Sequence, residues 1–557
     1  MERGGLIGLV ALAAYGVLAS TYIVDGDNAE FATLAHTGGL AHPSGYPAYV
    51  LWLRALAPIL PGSPARAAAL ATAILGAATL VVLVNACRAW GVRTGAATLA
   101  VAFLGGAPIV LRVHTEAEVF AMNNLACATI LWLAARRGPV RGIWRGALLG
   151  AVAGIGLADH LTCALIAPIG ILGVVRAIRE SKLAAPASAV GLAVGLAAYA
   201  YAFVAPDTPM SWGAVHDLHG LVGLVTRRDY GGALAFAPVA KSVSAWSQLG
   251  ALAMSIGRAW LWLPAAGALA MLGVRCARRD DHDAGESRVA WAMLALSWLL
   301  AGPILASRFD IVLDDIGLAV CRRFHVLPAL LLAIPAAAAI DAIPWRAPRV
   351  ARVLAAALAL PASIALALPG LGRVHTAAVE RYAQNVLEEL PDGAVLIVGE
   401  DYIYAGSQYV QWALGERADA IVIDSGLLPF GWYRDRLAAR SVPMPPGNPS
   451  ATWVVEHAIA AGKRVFIDLK QKDVIAHLPT FPYGAVLAVG APPSLDDLVA
   501  LNDALYAGFR RDYVPPGPDD EYASVIQRHY SAMRELLARA LEAAGRRDEA
   551  AALRAQP

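Results

Sequence analysis

Long apolar segments, separated by short polar connections, occupy the first two thirds of the chain and stop near residue 370. A hydrocarbon core about 30 Å thick is crossed by about 20 helical residues, and about eleven of these segments fit that length. The predicted spans cover residues 6–24, 66–86, 94–111, 119–135, 144–158, 161–178, 184–205, 243–274, 287–306, 323–342 and 350–370. The pattern therefore predicts a polytopic α-helical membrane domain over residues 1–372.

The remaining residues, 373–557, which we call the tail, show a different pattern. Short β-branched runs at 393–399, 419–426 and 464–469 alternate with helix-like stretches at 404–414 and 451–462. Such alternation is typical of an α/β layer, which we predict for residues 373–513. Residues 514–557 follow as a linker, VPPGPDD (514–520), and a helical hairpin within 523–554 that turns at Gly545 and could be one tetratricopeptide-like pair.

The composition supports this division. Of the 557 residues, 58% are hydrophobic and 16% charged, whereas soluble proteins have roughly 25% charged residues. Residues 371–557 carry 18 Lys and Arg against 24 Asp and Glu, so the tail is acidic while the rest of the chain is basic. The basic residues are dispersed among apolar spans, which excludes a nucleic-acid-binding stripe. The five cysteines have no CxxC spacing, which argues against a disulfide framework or a zinc site.

The connections alternate in charge, and this predicts an orientation. Some are rich in arginine, such as the one that contains Arg136, Arg137, Arg141 and Arg145. Short loops of this kind favour the cytoplasmic side. The alternate connections carry acids and histidines instead, as in residues 25–30, 114–118, 159–160 and 310–315. We therefore expect a protein of the bacterial inner membrane, with a cytoplasmic N-terminus and an extracytoplasmic tail.

The segment that follows the first span, DGDNAEFATLAHTGGLAHPSGYPAYVL (residues 25–51, the first loop), is the richest in candidate chemistry. Asp27 and Glu30 are three residues apart and share one face if this part is helical. In the same loop His36 and His42 bracket two glycines, and two prolines flanking a glycine fix a turn. A solvated loop or a helix cap is the alternative reading of the two aspartates. The acids and histidines could also hold a divalent ion, but their number alone does not decide this.

The order of these residues resembles the signature of domain of unknown function 2723, the family that includes transmembrane protein 260, in the glycosyltransferase C (GT-C) superfamily. The match runs through Gly26, Asp27, Glu30, His36, Gly39, Ala41, His42, Pro43, Gly45, Tyr46 and Pro47. Weaker matches are Glu118-Val-Phe-x-x-Asn123, Asp159-His160-Leu-Thr and, in the tail, Tyr409-x-Gln411, Arg417-x-Asp419 and Trp432-Tyr433. The chain departs from the signature at Ser44, where the family has proline, and at Asp25, where it has glycine.

The resemblance implies an inverting GT-C enzyme that moves a sugar from a polyprenyl phosphate to an acceptor hydroxyl outside the cytoplasm. An animal member is a protein O-mannosyltransferase, so the resemblance implies mannose as the sugar and Ser or Thr of a protein or peptide as the acceptor. A glycan or lipid acceptor is the alternative for a bacterial homologue. Membrane lipids and the lipid-linked donor are the other expected partners, and no obligate cofactor or metal is expected.

Inverting transfer needs a general base near the acceptor and positive charge near the departing phosphate. The resemblance implies Asp27 as the base. We expect substrate contacts from Glu30, His36, His42, Tyr46, Glu116, Glu118, Asn123, Asp159 and His160. Arg322 and Arg323, at the expected outer start of a span, are candidates for binding the lipid phosphate, although interfacial arginines also snorkel without a ligand.

Two functions of other classes compete with this reading. A transporter or flippase of a lipid-linked sugar commonly has paired repeats with broken helices near mid-membrane. The two halves of this span set show no such repeat, and the ionisable residues cluster at one set of span ends. A non-catalytic scaffold built around the tail would leave the first-loop motif without a role.

Overall fold

The structure is a computed structural model that describes residues 3–232, 243–277, 286–344, 349–517 and 520–555. Two residues of the predicted linker, 518 and 519, lie outside the described residues.

Eighteen α-helices precede the tail in the described residues. They are α1 (Arg3–Leu18), α2 (Gly26–Thr37), α3 (Pro47–Leu56), α4 (Pro64–Ala89), α5 (Thr94–Gly105), α6 (Pro108–Thr115), α7 (Phe120–Ala134), α8 (Gly142–Asp159), α9 (Ala167–Glu180), α10 (Ala184–Leu196), α11 (Leu218–Val225), α12 (Ala245–Ala259), α13 (Leu263–Ala277), α14 (Arg288–Leu299), α15 (Asp315–Phe324), α16 (Val326–Leu331), α17 (Ala333–Ala342) and α18 (Arg349–Val374).

Several of these helices can cross a membrane. Among the described residues four helical segments are long and apolar enough, namely Pro64–Ala89, Leu161–Glu180, Ala184–Phe203 and Ala357–Glu389, and three bent pairs raise the number to seven. Shorter apolar helices occupy Gly5–Leu18, Pro47–Ile59, Phe120–Ala134 and Arg288–Ile304. The chain is therefore a helical membrane protein, while the predicted number of about eleven spans stays a prediction.

Some predicted spans are not continuous. Residues 94–111 divide into α5 and α6, which meet at 70° where Pro108 begins the second helix. Residues 243–274 divide into α12 and α13, which meet at 105°. At this break Leu261 and Trp262 adopt positive φ values of 50° and 57°. The predicted span over 243–274 gave no indication of this bend, because apolar content shows which residues avoid water and not the direction of the backbone.

Small residues allow two of the helices to pack closely. On α8, Gly146, Gly150 and Gly154 recur every four residues, and a Cβ on Gly150 would lie 2.0 Å from the Ser188 carbonyl oxygen of α10. Gly191 of α10 has the same close approach to α8, 2.1 Å from a carbonyl oxygen. This spacing is typical of helix pairs in membranes. The contact fixes the end of α8, where Asp159 and His160 lie.

The tail contains a five-stranded sheet in the order β2-β1-β3-β5-β4. The first three strands are parallel and the last two form an antiparallel hairpin. The strands are β1 (Val395–Val398), β2 (Ile421–Asp424), β3 (Val465–Ile467), β4 (Thr480–Tyr483) and β5 (Val486–Val489). The three parallel strands lie in the segments that the sequence predicts, and the hairpin was not predicted.

The tail helices surround this sheet and reach the first loop. They are α19 (Ala378–Glu389), α20 (Asp401–Trp412), α21 (Gly431–Ala439), α22 (Ala451–Ala460), α23 (Lys472–His477), α24 (Leu495–Gly508), α25 (Glu521–Ala543) and α26 (Arg547–Arg554). The start of α20 packs on α2 so closely that a Cβ on Gly26 would lie 3.4 Å from the Asp401 backbone. Glu380 of α19 also accepts a hydrogen bond from the Ile23 amide at 3.3 Å. The tail therefore covers the first loop.

Candidate functional site

The two aspartates of the first loop have different roles. Asp25 is the N-cap of α2, and its carboxylate accepts a hydrogen bond of 2.8 Å from the Asn28 amide. Such a cap satisfies one of the free amide groups at a helix start. Asp25 is buried, whereas the side chain of Asp27 is 38% exposed. The helix-cap reading therefore holds for Asp25, and Asp27 is the accessible acid.

Arg323, in the last turn of α15, joins two of the predicted site carboxylates. Its Nη1 donates to Asp27 Oδ2 at 2.6 Å and to Glu118 Oε1 at 2.7 Å. Glu118 is almost completely buried, and Arg323 is one-tenth exposed. The prediction that Arg323 binds the lipid phosphate stays a prediction, and in the structure Arg323 also orients the Asp27 and Glu118 carboxylates.

The pKa values of the two acids that share Arg323 are shifted in opposite directions. Burial raises the pKa of Glu118 to about 8, although the charge of Arg323 opposes this. Burial alone would also raise the pKa of Asp27. The charges of Arg323 and His42 outweigh this effect and hold the pKa of Asp27 below its usual value. Asp27 is thus ionised near neutral pH while Glu118 is protonated. A pair of acids with divergent pKa values is a common arrangement for acid–base chemistry.

A second chain of contacts runs from Glu30 to His160. The His42 backbone amide donates to Glu30 Oε1 at 2.8 Å, and His42 Nδ1 lies 2.5 Å from Glu30 Oε2. His42 Nε2 lies 3.2 Å from the Tyr46 hydroxyl, and the Tyr46 ring stacks on His160 with centroids 5.8 Å apart. The turn before α3 permits this because Gly45 and Tyr46 both have positive φ.

His42 carries a positive charge beside Asp27. Burial lowers its pKa, but the Glu30 carboxylate more than offsets this, so the pKa of His42 rises to about 9. Asp27, Glu30 and His42 each offer one ligand atom, and these atoms lie within 4.8 Å of one another. In the described part of the chain this trio is the group that could hold a metal ion, and its oxygen and imidazole donors suit a divalent cation. The Glu30–His42 contact would have to open to admit one.

The other predicted residues are placed as follows. Glu116 lies near the cluster and accepts from Arg112 Nε at 3.1 Å, with His375 Nε2 at 3.2 Å. Asp159 is fully buried, and its oxygens accept no hydrogen bond from any described residue.

Asn123 is buried on α7 and accepts a long hydrogen bond from the Cys127 thiol. His36 is exposed in the last turn of α2. The structure thus brings together Asp27, Glu30, His42, Tyr46, Glu118, His160 and Arg323, and among the described residues no hydrogen bond joins His36 or Asn123 to this cluster.

A cavity of about 810 Å³ lies next to Arg323, between α6, α12, α15, α18 and the start of α25. Its wall is mostly apolar, with leucine, valine, alanine and proline side chains. Its charged lining consists of Arg112, Arg258, Arg322, Arg323, Arg373, Asp520 and Glu521. Five arginines against two acids make the cavity suitable for an anionic amphiphile.

Five of these charged lining residues, Arg112, Arg258, Arg373, Asp520 and Glu521, were not among the site residues predicted from the sequence. Arg112 precedes the predicted His114–Glu118 connection by two residues, so its neighbourhood was a usable signal. Arg258 lies in the last turn of α12, inside what looked like one continuous apolar span. Arg373 lies in the last turn of α18, and Glu521 follows the proline-rich linker. For Glu521 the sequence offers no signal, since its partners lie about 200 to 400 residues away.

Comparison with known proteins agrees with the first-loop motif. Residues 27–184 match a family model described as the N-terminal domain of protein O-mannosyl-transferase TMEM260. Protein O-mannosyl-transferase TMEM260 of Mus musculus is 23% identical over 465 residues, 78% of this chain and 65% of the mouse protein. The chain thus spans slightly less than two thirds of that relative's length.

Solved structures of ArnT from Cupriavidus metallidurans are similar in fold. The structure bound to undecaprenyl phosphate has a TM-score of 0.51 at 14% identity and covers 88% of this chain and 99% of ArnT. The apo structure has a TM-score of 0.48 at 15% identity, with 88% and 98% covered. At 14% identity the likeness to the lipid-bound structure shows the fold alone. The chain therefore has a GT-C fold, and its resemblance to the transmembrane protein 260 family is confirmed over residues 27–184.

Proposed function

We propose that this chain is an inverting GT-C glycosyltransferase that transfers a sugar from a polyprenyl phosphate to an acceptor hydroxyl. One observation carries the proposal: the partly exposed acid Asp27 is held by Arg323, which also lines the arginine-rich cavity. This arrangement puts a general base next to a place for an anionic lipid. Inverting transfer requires both groups at one reacting carbon.

The proposed reaction uses Asp27 as the base. Arg323 contacts Oδ2 of Asp27, which leaves Oδ1 for the acceptor. The acceptor oxygen attacks the anomeric carbon of the sugar and its proton passes to Asp27. The bond between that carbon and the phosphate oxygen breaks, and the lipid phosphate leaves with the bonding electrons. Glu118, protonated near neutral pH, shares Arg323 without adding a second negative charge beside the base.

The cavity is the proposed donor site. Its apolar wall suits the polyprenyl chain, and arginine binds phosphate oxygens through several N–H groups. Arg322 and Arg258 line it together with Arg323. The related ArnT structure contains undecaprenyl phosphate, which supports a lipid of this class as the donor.

The sugar and acceptor follow from the mouse relative, whose name is protein O-mannosyl-transferase. We therefore propose mannose as the sugar and a Ser or Thr hydroxyl of a protein as the acceptor, with a glycan or lipid as the alternative. Glu30, His42, Tyr46 and His160 form one connected surface beside Asp27 and are proposed to contact the sugar or acceptor.

We also propose the domain boundaries of the chain and its orientation in the membrane. We assign residues 1–372 to the catalytic membrane domain, 373–513 to an extracytoplasmic α/β domain and 514–557 to the linker and helical hairpin, in a bacterial inner membrane with a cytoplasmic N-terminus. Support comes from the arginine-rich connections and from the position of the tail over the first loop. The tail is proposed to bind the acceptor or to orient the first loop.

A transfer assay tests the proposal. Purified protein in lipid nanodiscs is incubated with a radiolabelled polyprenyl phosphate mannose and a periplasmic protein acceptor, with Asp27→Asn as the variant and the exposed Asp435→Asn as its matched control. We expect transfer by wild type and control and a loss of at least about 10³-fold for Asp27→Asn, in line with removal of a general base. Equal transfer by wild type and Asp27→Asn would remove Asp27 from the mechanism. Tight lipid binding without transfer from any donor would favour a flippase.

A further inference from the structure

Glu521 is bound between two arginines of the donor cavity. It is the first residue of α25, in the tail, and its side chain is one-tenth exposed. Its Oε2 accepts from Arg112 Nη1 at 2.5 Å, and its Oε1 accepts from Arg322 Nη1 at 3.2 Å. One carboxylate of the tail therefore bridges two guanidinium groups that lie far apart in the membrane domain sequence.

The backbone at this point is strained. Glu521 has a φ of +48°, a region that non-glycine residues rarely adopt. Such strain persists where surrounding contacts fix it, and it often marks functional positions. Here the fixing contacts are known: the two arginines hold the carboxylate, and the Ser524 hydroxyl donates to the Glu521 carbonyl at 2.7 Å. Release of the arginines would remove part of what maintains the strained conformation.

The bridge resembles the way arginines bind phosphate. Two oxygens of one anion each accept from a different guanidinium, which is also how two phosphate oxygens would be held. Both arginines line the cavity, as does Glu521 itself. A lipid phosphate in the cavity would therefore meet arginines whose N–H groups are already bound to a carboxylate of the same protein.

Resting on the proposed function, we propose that Glu521 is an internal competitor of the lipid phosphate for Arg112 and Arg322. Donor binding displaces the carboxylate, and return of the carboxylate favours release of the lipid phosphate after transfer. The body of α25 stays in place, because Asn385 Nδ2 donates to the Tyr530 hydroxyl at 2.8 Å and His529 Nε2 lies 2.8 Å from the Tyr402 hydroxyl. The change is confined to the first turn of the helix.

Competition and an ordinary structural ion pair predict opposite effects on lipid binding when Glu521 is removed. If Glu521 only orients the two arginines, its removal would weaken lipid binding. If it competes, its removal frees N–H groups of Arg112 and Arg322 that a phosphate can then bind, while Arg112 keeps its contact with Glu116. The competitor role therefore predicts tighter lipid binding when the charge of Glu521 is removed.

The experiment measures equilibrium binding of undecaprenyl phosphate to the full chain in nanodiscs. The variant is Glu521→Gln, which keeps the size of the side chain. The matched control is Glu535→Gln on the same helix, whose carboxylate binds Arg539 and Arg554 instead. We expect Glu521→Gln to bind the lipid at least about tenfold more tightly than wild type, and the control to bind like wild type. Unchanged or weaker binding by Glu521→Gln would overturn the proposal.

A second measurement uses wild type alone, so that a folding defect in the variant does not decide the matter. Hydrogen exchange of residues 521–526 is followed with and without saturating undecaprenyl phosphate, and we expect faster exchange with the lipid. No change in this segment with bound lipid contradicts the competition while leaving the donor site intact. Absence of lipid binding by both wild type and variant would overturn the donor site and the competition together. Lipid binding with competition but without sugar transfer would contradict only the proposed enzyme.

Discussion

Arg323 and Asp27 are 296 residues apart in the sequence and are joined by a hydrogen bond of 2.6 Å. Because Arg323 also lines the cavity, one guanidinium lies between the proposed base and the proposed donor site. It stabilises the ionised form of Asp27 and places positive charge where the phosphate departs. The relationship links the protonation of the base to the charge of the lipid site.

Removal of this charge should change the pH dependence of transfer. In Arg323→Gln, Asp27 loses one of the charges that lower its pKa, so the pKa of Asp27 rises and the carboxyl is protonated at higher pH. We expect kcat at neutral pH to fall at least about 100-fold, consistent with loss of a charged partner, and the acidic limb of the kcat profile to move to higher pH. The exposed Arg539→Gln serves as a control. An unshifted acidic limb would contradict the role of Arg323.

Ionisation of Glu118 should determine how kcat changes at alkaline pH. Its pKa lies near 8, so it is neutral below that pH and ionises above it, when it competes with Asp27 for Arg323. We expect kcat of the wild type to fall as the pH rises through about 8. The Glu118→Gln variant should keep at least about a tenth of the wild-type kcat and lack this fall. The measurement is kcat between pH 6 and 10, and an identical alkaline limb in the variant would exclude Glu118 as its cause.

The pair of His42 and Glu30 should make stability depend on pH. The pKa of His42 is raised from 6.5 to about 9, so its contribution is fully present below pH 6.5 and is lost as the pH rises through 9. The upper limit is about 3 kcal/mol. We expect His42→Gln to lower the apparent unfolding temperature most at pH 6 and little at pH 9.5. The exposed His36→Gln is the matched control, and a difference for His42→Gln that grows with pH would contradict the sign.

Divalent metal should not be required. The trio of Asp27, Glu30 and His42 could hold a cation, but His42 is protonated at neutral pH and arginines already provide positive charge for the phosphate. We expect transfer to persist in excess chelator. Loss of activity in chelator that one added cation restores would show that the trio is a metal site in the working enzyme.

The parts of the site that the sequence could predict are those set by local spacing. Asp27 and Glu30 are three residues apart and lie on one helix, and the turn that carries His42 and Tyr46 follows from its prolines and glycine. The partners of these residues come from distant segments. Nothing near Arg323 indicates that it binds Asp27, and nothing near Glu521 indicates Arg112, since long-range pairs depend on how the helices pack. The α12–α13 bend was missed for a related reason, because it lies inside an uninterrupted apolar segment.

Arg258 lies on the cavity wall, close to the bend between α12 and α13. Its side chain is exposed, and it forms no ion pair with any described residue. Its charge is therefore available to a lipid phosphate, and its removal leaves no carboxylate unpaired. We expect Arg258→Gln to raise KM for the lipid donor about 10- to 100-fold, as for a lost hydrogen bond to a charged group, with a much smaller effect on kcat. The measurement is donor-dependent transfer kinetics, with the exposed Arg179→Gln, outside the cavity, as the matched control. A fall in kcat at unchanged KM would place Arg258 in the chemical step instead of in donor binding.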